Sequence, residues 1–165
     1  SDRLYEMNST WTFDDPTDRL APVPEYTETW ERLKEARENK SYPLQLIVHH
    51  FKGRTHSSYA NLPRNKEAHH QRVWINPLDA EERGIASDEM VDIFNDRGRM
   101  RIPAQVTPRI APGVISVPQG AWYEPNEDGI DLGGCVNLLT KYHPTALAKG
   151  NPSNTTLVQI EKTNS

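Results

Sequence analysis

One cysteine, three methionines and three phenylalanines in 165 residues close off several kinds of chemistry at the outset. With Cys135 alone, neither an intramolecular disulfide nor a cysteine-built metal cluster can form within the chain. Cationic residues are also in the minority: 19 Lys and Arg stand against 23 Asp and Glu, for a net charge of −4. Nucleic-acid phosphates are held by basic faces, so this balance argues against a nucleic-acid partner. No apolar run approaches the ~18 residues that cross a bilayer as a helix, and direct membrane insertion is not expected. No segment reads as a signal peptide. The dipeptide Gly-Ser, residue-level repeats and low-complexity tracts are likewise absent.

What is there reads as a globular domain. Apolar residues make up 35% and charged residues 25%, and the length suits a single core. The chain opens on "SDRLYEMNSTW", without a Met, and we read it as an excised part of a longer one. The first 25 residues are loop-like, broken by Pro16, Pro22 and Pro24. "EYTETWERLKEARENK" predicts a helix, because Trp30, Leu33 and Ala36 recur at three-residue steps with charges between them. Residues 1–41 are therefore expected to form an N-terminal extension with one helix that packs on the rest.

From residue 42 onward the pattern is many short strands. "LQLIVHH" and "RVWI" are strand-like, and between them lie some twenty polar, irregular residues, "FKGRTHSSYANLPRNKEAHHQ". So long a loop in a compact domain is usually functional. "NPLDAEERG" predicts a short helix: Asn76 caps the first turn, Pro77 lacks only an N–H that would be unpaired anyway, and Gly84 is the exit. "MVDIFN" is a strand, "NDRG" a turn with Gly98 taking positive φ, and "RMRIPAQV" alternates with the period of a half-buried strand. Pro112-Gly113 turns into the strand "VISVP", a second polar loop covers Gln119 to Gly134, "CVNLLT" reads as strand-like, and "TTLVQIEK" as the last strand. A mainly β, closed barrel with a few short helices buries such a set. The polar loops, clustered at one end, would form a ligand-binding rim, with "NPLDAEERG" as scaffold for the strands that carry them.

Several motifs in order now resemble a known family. "WINPLDAEERGIASDEMVDIFNDRGRMRIPAQVTPRIAPGVISVPQGAWY", "RTHSSYAN", "GGCVNLLT" and "LAKGNPSNTTLVQIEK" are similar to the C-terminal, molybdopterin dinucleotide-binding domain of the dimethyl sulfoxide reductase family, nearest to the catalytic subunits of its anaerobic reductases. The likeness covers residues 42–162. It implies a double-psi β-barrel over 42–165 that closes over a bis(molybdopterin guanine dinucleotide) molybdenum cofactor held mainly by other domains. It also implies that the molybdenum ligand and any iron–sulfur cluster belong to those other domains. Partners would be the remaining domains of the subunit, an iron–sulfur electron-transfer subunit and a membrane anchor subunit, at the periplasmic or extracytoplasmic face. Carried over by position, the cofactor contacts are Gly53, Arg54, His56 and Ser57 in the first loop, Trp122 with Tyr123 in the second, Asn137 in "CVNLLT" and Asn154 before the last strand.

The residue chemistry agrees with a binding role. A glycine admits close backbone approach, a guanidinium forks onto phosphate, and Ser, His and Asn supply neutral donors and acceptors for ring edges. Blander readings stand beside these. His49-His50 on a strand point to opposite faces, and His69-His70 lack accompanying ligands, so both pairs read as packing or surface residues. Cys135 reads as a small buried hydrophobe, and "NKEAHHQR" as a solvated run. Asn137, flanked by apolar residues, is expected to be partly buried. Two other functions remain open: a barrel adaptor that binds protein or peptide without cofactor, and a self-processing pyruvoyl decarboxylase, for which the missing Gly-Ser dipeptide is adverse. The isolated chain is expected to be inactive, with catalysis residing in the assembled molybdenum enzyme.

Overall fold

The computed structural model describes residues 18, 23–26, 28–32, 34, 38, 40–145 and 148–163. The chain divides into two compact units, residues 1–29 with 142–152 and residues 30–141 with 153–165. Residues 30–41, which the sequence assigned to the extension, thus fall in the same unit as the barrel. The helix expected over 25–40 falls partly outside the described residues, Leu33 and Ala36 included; residues 28–32 are not helical, while Lys34 and Glu38 are. In the first unit, Thr145 N donates to Gly150 O at 2.8 Å and His143 N to Asn151 Oδ1 at 2.8 Å.

The second unit is a closed barrel. Its strands are β1 (Leu44–His49), β2 (Val73–Ile75), β3 (Met90–Asn95), β4 (Gly98–Val106), β5 (Val114–Pro118) and β6 (Thr156–Lys162). Around the barrel they run β1-β5-β2-β4-β3-β6, with β1/β5 and β2/β4 parallel and the other neighbours antiparallel. Closure leaves no unpaired sheet edge, which is why short strands suffice. The expected mainly β barrel is the fold found.

Alternation builds the core. Met100, Ile102 and Ala104 of β4 face inward with Val91 and Ile93 of β3, and Leu44, Leu46, Val73, Ile75, Ile115, Val117, Val158 and Ile160 complete it. Each of these side chains larger than Ala104, removed from water, stabilises the fold by ~1.5–3 kcal/mol before entropy is counted. The outward face of the β3/β4 pair carries an ionic cluster: Asp92, opposite Arg101 in register, accepts from Arg101 Nε at 2.7 Å and Nη2 at 3.0 Å and from Arg99 Nη1 at 3.0 Å. Glu31 ties the preceding segment to the same body, through Arg97 Nη1 at 2.8 Å and the β6 amide of Leu157 at 2.6 Å.

Two short helices interrupt the strands, α1 (Pro63–Ala68) and α2 (Pro77–Glu82). α2 is the expected one: Asn76 Oδ1 accepts from Leu78 N at 2.9 Å, and Gly84 leaves with φ +63°. It sits at the end of the barrel opposite the long loops and braces the turn before β5, with Asn76 Nδ2 on Ile110 O at 2.7 Å and Asp79 Oδ2 accepting from Gly113 N at 2.8 Å. α1 was not expected. It lies in the stretch read as irregular, and its signal is Pro63 at the first helical position followed by good helix formers. The reading of Gly98 is also corrected. Gly98 opens β4 without positive φ; a Cβ there would stand 2.5 Å from Leu138 Cγ, so its smallness admits a neighbouring turn of helix.

Candidate functional site at one end of the barrel

Strand directions bring the polar loops together. β1 and β5 are parallel, from Gln45 opposite Val114 to His49 opposite Pro118, so both leave the barrel at the same end. There β1 continues into loop A (50–72) and β5 into loop B (119–135). β6 runs the other way and begins there, with Asn154 just before it; Asn154 Oδ1 accepts from Val48 N at 2.7 Å.

Loop A is held from within. Asn65 of α1 donates to Gly53 O at 2.9 Å, and the His69 ring meets Phe51 edge-on at 5.6 Å. Loop B is held by Asp131, which is fully buried: its Oδ1 accepts from Glu124 N and Gly133 N at 2.8 and 3.0 Å, its Oδ2 from Cys135 N at 2.6 Å. Arg101 N also donates to Asp131 O at 2.8 Å, which lays the loop along β4 beyond the reach of β2. The loops then touch each other. Trp122 Nε1 donates to Ser57 O at 2.9 Å, and the Gln119 amide lies 2.7 Å from His50 Nδ1 and 3.3 Å from His56 Nδ1. At Gly120, with φ +84°, a Cβ would stand 1.7 Å from His56 O, so the loops meet backbone to backbone.

Between them and the outer face of β4 opens a cavity of ≈330 Å³. Arg54, Gln71, Arg101, Trp122, Leu132 and Met90 are among its walls. The Arg54 guanidinium lies 4.1 Å over the Phe51 ring, and its Nη2 donates to Gln71 Oε1 at 2.6 Å. Its Nε is buried with no hydrogen-bond partner among the described residues. Burial pushes the Arg54 guanidinium below its ordinary pKa, though it stays charged at any ordinary pH. Among the described residues the one carboxylate in the cavity wall, Glu124, is already paired with Lys66 at 2.8 Å.

The proposed contact residues are therefore not one cluster. Arg54 and Trp122 face the cavity, with Gly53 behind, where a Cβ would stand 2.6 Å from His69. His56, at φ +51°, and Ser57 form the exposed tip of loop A; Tyr123 is exposed beside Trp122. Asn154 spends its oxygen on the β1 seam. Asn137 corrects an expectation: it stands on a 3₁₀ turn, Val136–Leu138, not on a strand, and is exposed rather than partly buried. Its apolar neighbours Val136 and Leu139 turn inward and leave it outside. Cys135 is half-buried, and burial pushes its thiol up, away from nucleophilic character. His49 packs on Trp74, centroids 4.8 Å apart, with Nδ1 2.6 Å from Ser116 Oγ. Two organising residues escaped the sequence reading. Asp131 had a local signal, an Asx-type turn in "DLGG"; Gln71 had none, because its partners are distant in the chain.

Residues 44–157 match the family model described as the Molydopterin dinucleotide binding domain. The chain belongs to this family. Among curated relatives of this Molydopterin dinucleotide binding domain, it is 51% identical over 98% of its length to the putative dimethyl sulfoxide reductase chain YnfE of Escherichia coli (strain K12). It is 49% identical over 98% of its length to dimethyl sulfoxide reductase DmsA of the same organism. It is 37% identical over 84% of its length to the dimethyl sulfoxide/trimethylamine N-oxide reductase of Cereibacter sphaeroides. The chain spans about a fifth of these relatives: 20% of the first two and 18% of the third. Among solved structures, acetylene hydratase from Pelobacter acetylenicus shares the fold, with a TM-score of 0.69 at 20% identity over 86% of this chain and 21% of that one.

The rim fits a pterin dinucleotide by its chemistry. A desolvated guanidinium with an orphaned Nε and no carboxylate partner suits a phosphate or an electron-rich ring edge. Elsewhere on the rim an exposed Asn amide, a Ser hydroxyl and an imidazole offer donors and acceptors.

Proposed function

We propose that this Molydopterin dinucleotide binding domain is the cofactor-capping part of a molybdenum oxidoreductase that reduces S- or N-oxides such as dimethyl sulfoxide. The cofactor is bis(molybdopterin guanine dinucleotide), whose metal and dithiolenes supply the redox chemistry when bound. This chain's residues bind and orient it: Arg54 faces its phosphate or pterin edge, Trp122 closes over it, and His56, Ser57 and Asn137 donate and accept at its ring edges. Gly53 lets the loop A backbone lie close, and Asn154 keeps the rim joined to β1. The observation that carries the reading is Arg54, held over Phe51 by Gln71 and turned toward a cavity with no free carboxylate. The relatives' names and lengths support a parent chain roughly five times longer. By the same resemblance, the parent would work at the periplasmic face with an iron–sulfur electron-transfer subunit and a membrane anchor subunit.

The adaptor reading has one observation in its favour. Met90, Trp122 and Leu132, all at the cavity, are 42%, 48% and 49% exposed. One experiment separates the two. The full-length parent enzyme is purified with Arg54→Ala, and molybdenum and released GMP are measured per chain. A charge-assisted contact is worth ~1.5–3 kcal/mol, so retention after dialysis should fall by tenfold or more. Unchanged molybdenum and GMP would leave Arg54 outside the cofactor site and favour the adaptor.

A further inference from the structure

Gln71 occupies an unusual position for a residue in neither loop's tip nor any strand. It is the last but one residue of loop A, half-buried, and its amide uses both ends. Oε1 accepts from Arg54 Nη2 at 2.6 Å. Nε2 donates to Pro118 O at 2.8 Å, where loop B leaves β5, and to Gly134 O at 3.1 Å, where loop B ends. One planar group thus holds the guanidinium of one loop and both roots of the other. The amide's shape makes this specific: donor and acceptor are fixed on opposite sides of one carbon, so satisfying the two carbonyls aims Oε1 at Arg54. Gly134 is packed to the same end. A Cβ there would stand 2.6 Å from Gln71 Cγ and 3.1 Å from Ile102 Cγ2, so the side chain is confined between the glycine and the barrel wall.

Arg54 itself has few restraints. Its Nε has no partner, and the Phe51 face fixes the plane of the guanidinium but not its rotation in that plane. The hydrogen bond from Gln71 supplies that missing restraint. An uncharged partner matters as much as a partner in place: a carboxylate would neutralise the guanidinium, whereas an amide orients it and leaves its charge to act on an anion.

We infer that Gln71 is a positioning residue for cofactor retention, acting through Arg54 by orienting its guanidinium toward the dinucleotide while tying loop B to loop A. The inference rests on the proposed reading of Arg54 as a cofactor contact.

A double-mutant cycle in the full-length parent enzyme tests it. Arg54→Ala, Gln71→Met and the pair are compared by the rate of GMP and molybdenum release from purified protein, with thermal melting of cofactor-stripped protein alongside. Met keeps the length and flexibility of Gln but neither donates nor accepts strongly. If Gln71 acts through Arg54, Gln71→Met should speed release by about tenfold, the scale of one charge-assisted bond. In the Arg54→Ala background the same change should add less than twofold, because the group it orients is gone. Gln71→Glu is the second variant, should Met impair folding. It keeps a partner for Arg54 but pairs off its charge and gives up the donor to Pro118 O and Gly134 O, and release should again be faster. Four outcomes overturn the inference. Multiplicative effects in the double variant would make Gln71 a loop brace only. A Gln71→Glu enzyme that holds its cofactor like the parent would show that the free charge is irrelevant. No effect of Gln71→Met where Arg54→Ala does release cofactor would remove Gln71 alone, whereas no effect of Arg54→Ala would remove the reading of Arg54 and the inference together.

Discussion

Replacing Gly120 by Ala asks how the two loops are held against each other. Gly120 has φ +84°, and a Cβ would stand 1.7 Å from His56 O and 2.4 Å from His56 C. Both obstacles are backbone, so no rotamer change relieves them, and the loops must part by more than an ångström. Gly84→Ala is the matched control: its φ is +63°, and nothing lies within 4 Å of the added carbon. Each substitution forces an L-residue into the left-handed region, at ~1–2 kcal/mol. Only at Gly120 does a second cost follow. Separation of the loops strains the Trp122–Ser57 and Gln119–His56 contacts, each worth ~0.5–1.5 kcal/mol and nearer the low end because they are exposed. The expected losses are thus about 2–4 kcal/mol for Gly120→Ala and about 1–2 kcal/mol for Gly84→Ala. In a domain of this size a kilocalorie moves Tm by roughly 2–4 °C. Urea and thermal unfolding, followed by tryptophan fluorescence, measure both. Amide hydrogen exchange should also accelerate in loop A for Gly120→Ala alone. Equal destabilisation by the two variants, with loop A exchange unchanged, would refute the backbone-to-backbone closure.

Other expectations follow from the same geometry. Burial alone would push the Asp92 carboxyl up, but its hydrogen bonds with Arg101 and Arg99 outweigh burial and hold it below the ordinary value. The stability it contributes is therefore complete above the ordinary aspartate range near pH 4 and is lost as pH falls through the lowered value. Asp92→Asn should cost about 1–3 kcal/mol at pH 7, discounted for the partly exposed arginines, and should flatten acid unfolding; an unchanged acid limb would dissociate the pair from stability. Asn137→Ala should leave the melting of the isolated chain within about 0.5 kcal/mol, because the side chain is exposed, yet reduce molybdenum content of the parent enzyme. A destabilised fragment with a normally loaded parent would make Asn137 structural. The isolated chain should show no oxide reduction with a reduced viologen, and turnover by purified fragment would contradict the capping role.

Most of the barrel was legible in the residues because its signals are local. Period-2 alternation over Met100, Ile102 and Ala104, the Asn76-Pro77 start and Gly84 exit of α2, and turn residues between strands depend only on neighbours in the chain. Where local signals were mixed, the reading went astray. The polar composition of loop A hid α1, and the apolar flanks of Asn137 suggested burial although a 3₁₀ turn points those flanks inward and the amide outward. Gly98 needed smallness for Leu138, forty positions away, rather than a special φ.

Composition and pattern by themselves determined the class of fold, the single thiol, the scarcity of basic charge and the residue types available to a ligand. Only the tertiary structure decided which of those residues share a space. Parallel pairing of β1 with β5 sends loops A and B out of the same end, and no spacing in the chain encodes that pairing. The setting of Arg54 depends on Phe51 nearby and on Gln71, whose other partners, Pro118 and Gly134, are 47 and 63 positions further on. Hydrogen bonds of such separation form only when the barrel has closed, so a site built from them is a property of the closed barrel and not of any segment.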